Sequence, residues 1–142
     1  MRRLFYATLA ALGALSALAT AASAQIQPIN PMGIWRCVVN GPAVSIDVQM
    51  QVNPDQTLFA QGTYILNGTS AFYTIQGGGQ WLLAPPDASS PEYMYRFQIV
   101  PQQQVAAFPI FVRPTGDPSS LYNVFQNPQT GGVIESACQR IG

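Results

Sequence analysis

Two residues near the start of the chain and two near its end share one spacing: Trp35 and Cys37 against Cys138 and Arg140. If Cys37 and Cys138 face each other on antiparallel strands, Trp35 and Arg140 must face each other too, because partners run in opposite directions. Side chains alternate with period two, so both pairs lie on one side of the sheet. The first and last strands are then neighbours, which is the condition for a sheet to close into a barrel. A Cys37–Cys138 bond would enclose a loop of about 100 residues, worth up to roughly 4.7 kcal/mol in the chain-entropy model. Two unpaired buried thiols, or a bond between molecules, are the alternatives.

The compartment follows from the N-terminus. Arg2 and Arg3 precede an Ala- and Leu-rich core from Leu9 to Leu18, and Ala22-Ser23-Ala24 forms a small-residue cleavage site before Gln25. That pattern reads as a cleaved secretory signal over residues 1–24, in a Gram-negative style, with a periplasmic or secreted destination. The apolar stretch is too short and too Ala-rich for a membrane span. An oxidising destination suits two cysteines. Residues 25–32, with Pro28 and Pro31, form an N-terminal arm, and residues 33–142 a single domain.

Beyond the signal the chain keeps Arg36, Arg96, Arg113 and Arg140 against six carboxylates, with no Lys and no His. Neutral amides such as Gln49, Gln51, Gln61 and Gln102 to Gln104 carry the hydration. This is the reverse of the basic footprint of a nucleic-acid binder or of a protein held on anionic lipid.

The domain reads as all-β. Gly33 to Asn40 is the first strand, and Asn40-Gly41-Pro42 a turn. Val44, Ile46, Val48, Met50 and Val52 then alternate with Ser45, Asp47, Gln49 and Gln51, the pattern of a half-buried strand. Asn53-Pro54-Asp55 turns into a strand from Leu58 to Leu66, and Asn67-Gly68 signals a hairpin. Ala71 to Gln76 and Gln80 to Ala84 read as two strands, with Gly77-Gly78-Gly79 a hairpin or bulge between them. After the Pro85 to Pro91 loop, Tyr93, Tyr95, Phe97 and Ile99 alternate with Met94, Arg96 and Gln98. Prolines punctuate residues 101–120, leaving one strand near Ala107 to Arg113 in which Pro109 forces an edge or a bulge. Leu121 to Gln126 and Val133 to Ile141 complete an antiparallel meander of eight or nine strands, a closed or nearly closed small barrel.

Gly33-x-Trp35 on the first strand and Arg140 on the last resemble the calycin group of up-and-down barrels, lipocalins and avidins among them. Asn53-Pro54-Asp55-Gln56-Thr57-Leu58, followed by Gly62-Thr63-Tyr64, resembles the second hairpin of such barrels. The resemblance implies that Trp35 lies at the closed end with Arg140 packed over it, a barrel-closing pair. A guanidinium on an indole gains about 0.5 to 2 kcal/mol. No ligand set carries over residue by residue.

Catalytic chemistry is nearly excluded. Without His there is no Ser-His-Asp triad or Cys-His pair, and without Lys no Schiff base. Asp55, Asp87 and Asp117 sit singly in separate turns, where solvated turn residues need no metal, and no cofactor motif is present. Asp47, Glu92 and Glu135 have no spacing that joins them into a glycosidase pair. Gly77-Gly78-Gly79 lacks the Lys and helix of a phosphate loop.

What remains is aromatic surface: Tyr64, Phe72, Trp81, Tyr93, Tyr95 and Phe97. These residues either fill the interior, as side chains do in eight-stranded barrels, or line a cup for an apolar ligand. The expected function is therefore a non-catalytic exported barrel that binds a small hydrophobic molecule. The alternatives are a periplasmic inhibitor of a protease or lysozyme, which would use the arm or the Pro85 to Pro91 loop to engage an exported protein, and a structural envelope component. An outer-membrane barrel fits less well, because it requires a lipid-facing apolar band.

Overall fold

The computed structural model describes residues 25–142, and the signal reading of residues 1–24 lies outside the described residues. Eight strands follow one another: β1 (Gly33–Asn40), β2 (Val44–Val52), β3 (Thr57–Leu66), β4 (Phe72–Ala84), β5 (Met94–Pro101), β6 (Phe108–Pro114), β7 (Ser120–Gln126) and β8 (Val133–Arg140). Each pairs antiparallel with the next, and β8 returns to β1, closing the barrel.

The closing register is the one implied by the matched spacing. Cys37 faces Cys138 and Trp35 faces Arg140. The cysteines form a disulfide with α-carbons 4.1 Å apart, and the Arg140 guanidinium stands 4.5 Å over the Trp35 ring.

Alternation decides the polarity of the wall. In β2, Ile46, Val48, Met50 and Val52 turn inward and are buried, while Gln49 and Gln51 face out. Trp35, Met50, Tyr95 and Phe97 are packed in the interior with no exposed surface. Outside, Arg36, Asp47, Gln49, Gln61, Gln76 and Arg96 face solvent over much of the circumference. Exposed apolar side chains, among them Phe59, Phe72, Leu82, Val100 and Phe111, share the outer wall with them. Among the described residues no helix is long and apolar enough to cross a membrane.

Gly77-Gly78-Gly79 is neither a hairpin nor a bulge. It lies in the middle of β4, a continuous strand of 13 residues that pairs without interruption to both neighbours, so the strand count is eight. Gly77 and Gly79 are needed because β5 crosses closely. A Cβ at Gly77 would fall on the main chain of Val100 and Pro101, and one at Gly79 on that of Gln98 and Ile99. Local sequence reads such a run as flexible, whereas here it admits a close backbone approach.

Candidate functional site

One end of the barrel is sealed by the arm. The Tyr95 hydroxyl accepts from the Ile29 amide at 2.9 Å and donates to the Ile29 carbonyl. Trp35 Nε1 donates to Pro31 O at 2.7 Å, while Arg140 donates to the carbonyls of Asn30 and Met32. The arm is thus held by its own main chain, with Ile29 packed on the core. Burial pushes the Tyr95 phenol above its ordinary pKa, against the opposing pull of the Ile29 hydrogen bond and the Arg140 charge.

The aromatic residues singled out in the sequence do not form one cup. Tyr95 and Phe97 stack at 6.2 Å between ring centroids inside the filled interior. Trp81 is half-buried toward the sealed end, its Nε1 donating to Asn53 O at 2.8 Å. Tyr93 is half-buried just before β5. Tyr64 sits at the opposite end, where it meets Tyr73 and Phe108 at centroid distances of 6.4 and 5.5 Å. Phe72 is 59% exposed on the outer face. Core filling accounts for Tyr95 and Phe97, and the other four are distributed between the two ends and the outside.

The accessible apolar space lies elsewhere, in the wall between β6 and β7. These strands share only two register pairs, Arg113 with Tyr122 and Pro114 with Leu121, where every other interface has five or more. Beyond Arg113 the strands diverge and the wall opens into a slot of about 510 Å³. Its floor is the inner face of the adjoining β8 and β1, Ile134 and the buried Ser136 with Val39, and its rims are Phe111 on β6 and Val124 and Phe125 on β7. The proline-rich stretch explains the opening. Pro109 has no N–H to give a ladder, and a strand bearing it fits best where one edge stays unpaired.

At the paired end of the slot stands Arg113. Its Nη1 donates to Glu92 Oε2 at 2.7 Å, whereas its Nε is buried and has no hydrogen-bond partner. Arg113, Asn123 and Val124 also line a neighbouring cleft of about 300 Å³ with Glu92, Thr115 and Tyr122. The slot and this cleft therefore border each other at Arg113, Asn123 and Val124.

No family model, no curated protein and no solved structure matches the chain. The site has to be read from its own chemistry.

Charged groups of the outer wall pair off. Asp47 is held by both Nε and Nη2 of Arg36, at 3.0 and 2.7 Å, which keeps its carboxyl below the usual range. Glu92 is held by Arg113. The two acids serve different arginines and do not converge on one substrate position. Among the described residues no group of three or more metal-ligating side chains comes together.

The slot was missed in the sequence because it arises from pairing that does not form, between strands whose local patterns look ordinary. A signal was present nonetheless. Phe108, Ile110, Phe111 and Val112, and likewise Val124 and Phe125, place apolar side chains on both faces of their strands, where β2 alternates cleanly.

Proposed function

We propose that this chain is a non-catalytic, exported, calycin-like barrel that binds a small apolar molecule in the lateral slot between β6 and β7. The observation that carries this reading is the slot itself: about 510 Å³, walled by Val39, Phe111, Val124, Phe125 and Ile134. That volume falls within the ordinary range for small-molecule sites, and an apolar lining with few polar groups is their usual composition. Export is supported by the Cys37–Cys138 disulfide, which suits an oxidising compartment.

The test is saturable binding of 1-dodecanol to the exported protein, followed by displacement of a fluorescent apolar probe. Ser136→Leu, which places bulk in the slot floor, should abolish binding while the near-UV circular dichroism stays native. Absence of binding, or unchanged binding in a folded Ser136→Leu variant, would contradict the reading.

A second reading, an inhibitor of an exported enzyme, draws support from the Pro85 to Pro91 loop. Asp87 Oδ1 accepts from the amides of Ser89 and Ser90, both at 2.8 Å, so the loop is preorganised. The arm suits an inserting role less well, since its carbonyls are already engaged by Trp35, Tyr95 and Arg140.

A further inference from the structure

We propose that the outer wall of the barrel carries a second binding site, a groove across β1 to β4 for an extended, uncharged chain of β-linked hexoses. The groove is separate from the slot between β6 and β7 and does not depend on it. Three observations carry the assignment.

The first is a line of planar side chains set by the register. Gln139 faces Arg36, Arg36 faces Gln49, Gln49 faces Gln61 and Gln61 faces Gln76. One exposed side chain from each of five neighbouring strands thus falls on a single line across the wall. Strands lie about 4.8 Å apart, so the line runs for about 19 Å. That step is close to the length of one hexose in an extended β-linked chain, whereas a coiled α-linked chain leaves the line. Each amide offers both a donor and an acceptor to the hydroxyls of the unit above it. Among the described residues the side-chain amides of Gln49, Gln61, Gln76 and Gln139 hydrogen-bond to nothing in the protein.

The second is the shape and charge of the place. Between this line and the next, where Asp47 faces Thr63 and Thr63 faces Thr74, lies an open groove of about 430 Å³. Its two charged groups cancel, because Nε and Nη2 of Arg36 hold the Asp47 carboxylate with two hydrogen bonds. The groove is left without net charge, bordered by amides on one side and by the Thr63 and Thr74 hydroxyls on the other. That matches a neutral polyhydroxyl chain, and it offers a phosphate or carboxylate polymer no free cation.

The third is an aromatic ring beside the amides. Phe59 lies two residues from Gln61 on the same face of β3 and is 40% exposed. Its partner on β4 is Gly78, where even an added Cβ would meet only Leu58 O at 3.7 Å, so the ring is open on that side. A smaller hollow of about 200 Å³, lined by Ile34, Gln51 and Phe59, adjoins the groove at Gln49 and Gln61. A hexose ring presents an apolar face of C–H groups between hydroxyl edges, and an exposed ring flanked by amides meets both.

The experiment titrates the protein spanning residues 25–142 with cellohexaose and, separately, with maltohexaose, equal in length and composition and different in linkage. Nitrogen-15 NMR reads the site. The expected result is shifts centred on Gln49, Phe59, Gln61, Thr63 and Gln76, with cellohexaose preferred by about tenfold or more. Phe59→Ala and Gln61→Ala, both on the solvent face, should keep the parent's melting curve and weaken cellohexaose binding about fivefold or more, as loss of a significant contact does. Saturating 1-dodecanol should not compete. No shifts on the outer wall up to the solubility limit of cellohexaose, equal affinities for the two sugars, or unchanged binding in either folded variant would overturn the assignment. So would competition by 1-dodecanol, or shifts of the same residues on diluting the protein alone, which would mean that a second copy covers this face.

Discussion

At the scale of single residues, Tyr95 joins the core to the arm. Its ring is buried with no exposed surface, and its hydroxyl both donates to and accepts from Ile29. Tyr95→Phe leaves that main-chain pair without its partner in a partly buried place. The expected cost is about 1–3 kcal/mol, read from chemical denaturation. The pH dependence has a definite sign. Because the folded state holds the phenol proton more tightly than the unfolded chain, this part of the stability is present below the ordinary phenol pKa and fades as pH rises through and beyond it. The stability gap between the parent protein and Tyr95→Phe should therefore shrink above about pH 10. Trp35 and Arg140 belong to the same seal and were legible in the sequence, since equal spacing about two cysteines is a register in itself. The Tyr95 contact with the arm was not legible, because nothing local tells a residue that the chain 66 positions earlier will fold back across it.

At the scale of elements, one strand departs from its sequence pattern and another keeps to it. In β4 the three glycines suggested an interruption, yet the strand runs through them, because β5 crosses where a side chain would collide with main chain. Gly79→Ala should destabilise by about 1–3 kcal/mol, the usual cost of forcing extra volume into a packed site. Gly78→Ala is the control. Its Cβ would meet only Leu58 O at 3.7 Å, so its melting curve should overlay the parent's. In β6 the prolines suggested an edge, and an edge is what the strand has toward β7. Turns with strong local chemistry, Asn53-Pro54-Asp55 and Asn67-Gly68, were readable because four residues decide them. The gap between β6 and β7 was not, because it depends on how two separately ordinary strands are held by β5 and β8.

At the scale of the whole molecule, closure and opening are complementary. The seam between β1 and β8 joins the first strand to the last and carries the disulfide, so it restrains the largest loop in the chain. Replacing both cysteines by alanine should cost about 2–5 kcal/mol and lower the melting temperature at every pH. The weakly paired β6–β7 seam can then remain open without the barrel coming apart, since both strands stay laddered on their other sides. A closed wall with one lateral slot gives a ligand a way in that the filled interior does not. The central claim is that this seam is where the protein binds. The most direct measurement is a nitrogen-15 NMR titration of the protein spanning residues 25–142 with 1-dodecanol, residue by residue. Shifts confined to Phe111, Arg113, Val124, Phe125, Ile134 and Ser136 are the expected result. Shifts centred on Tyr64, Tyr73 and Phe108, or on Tyr95 and Phe97, would contradict it.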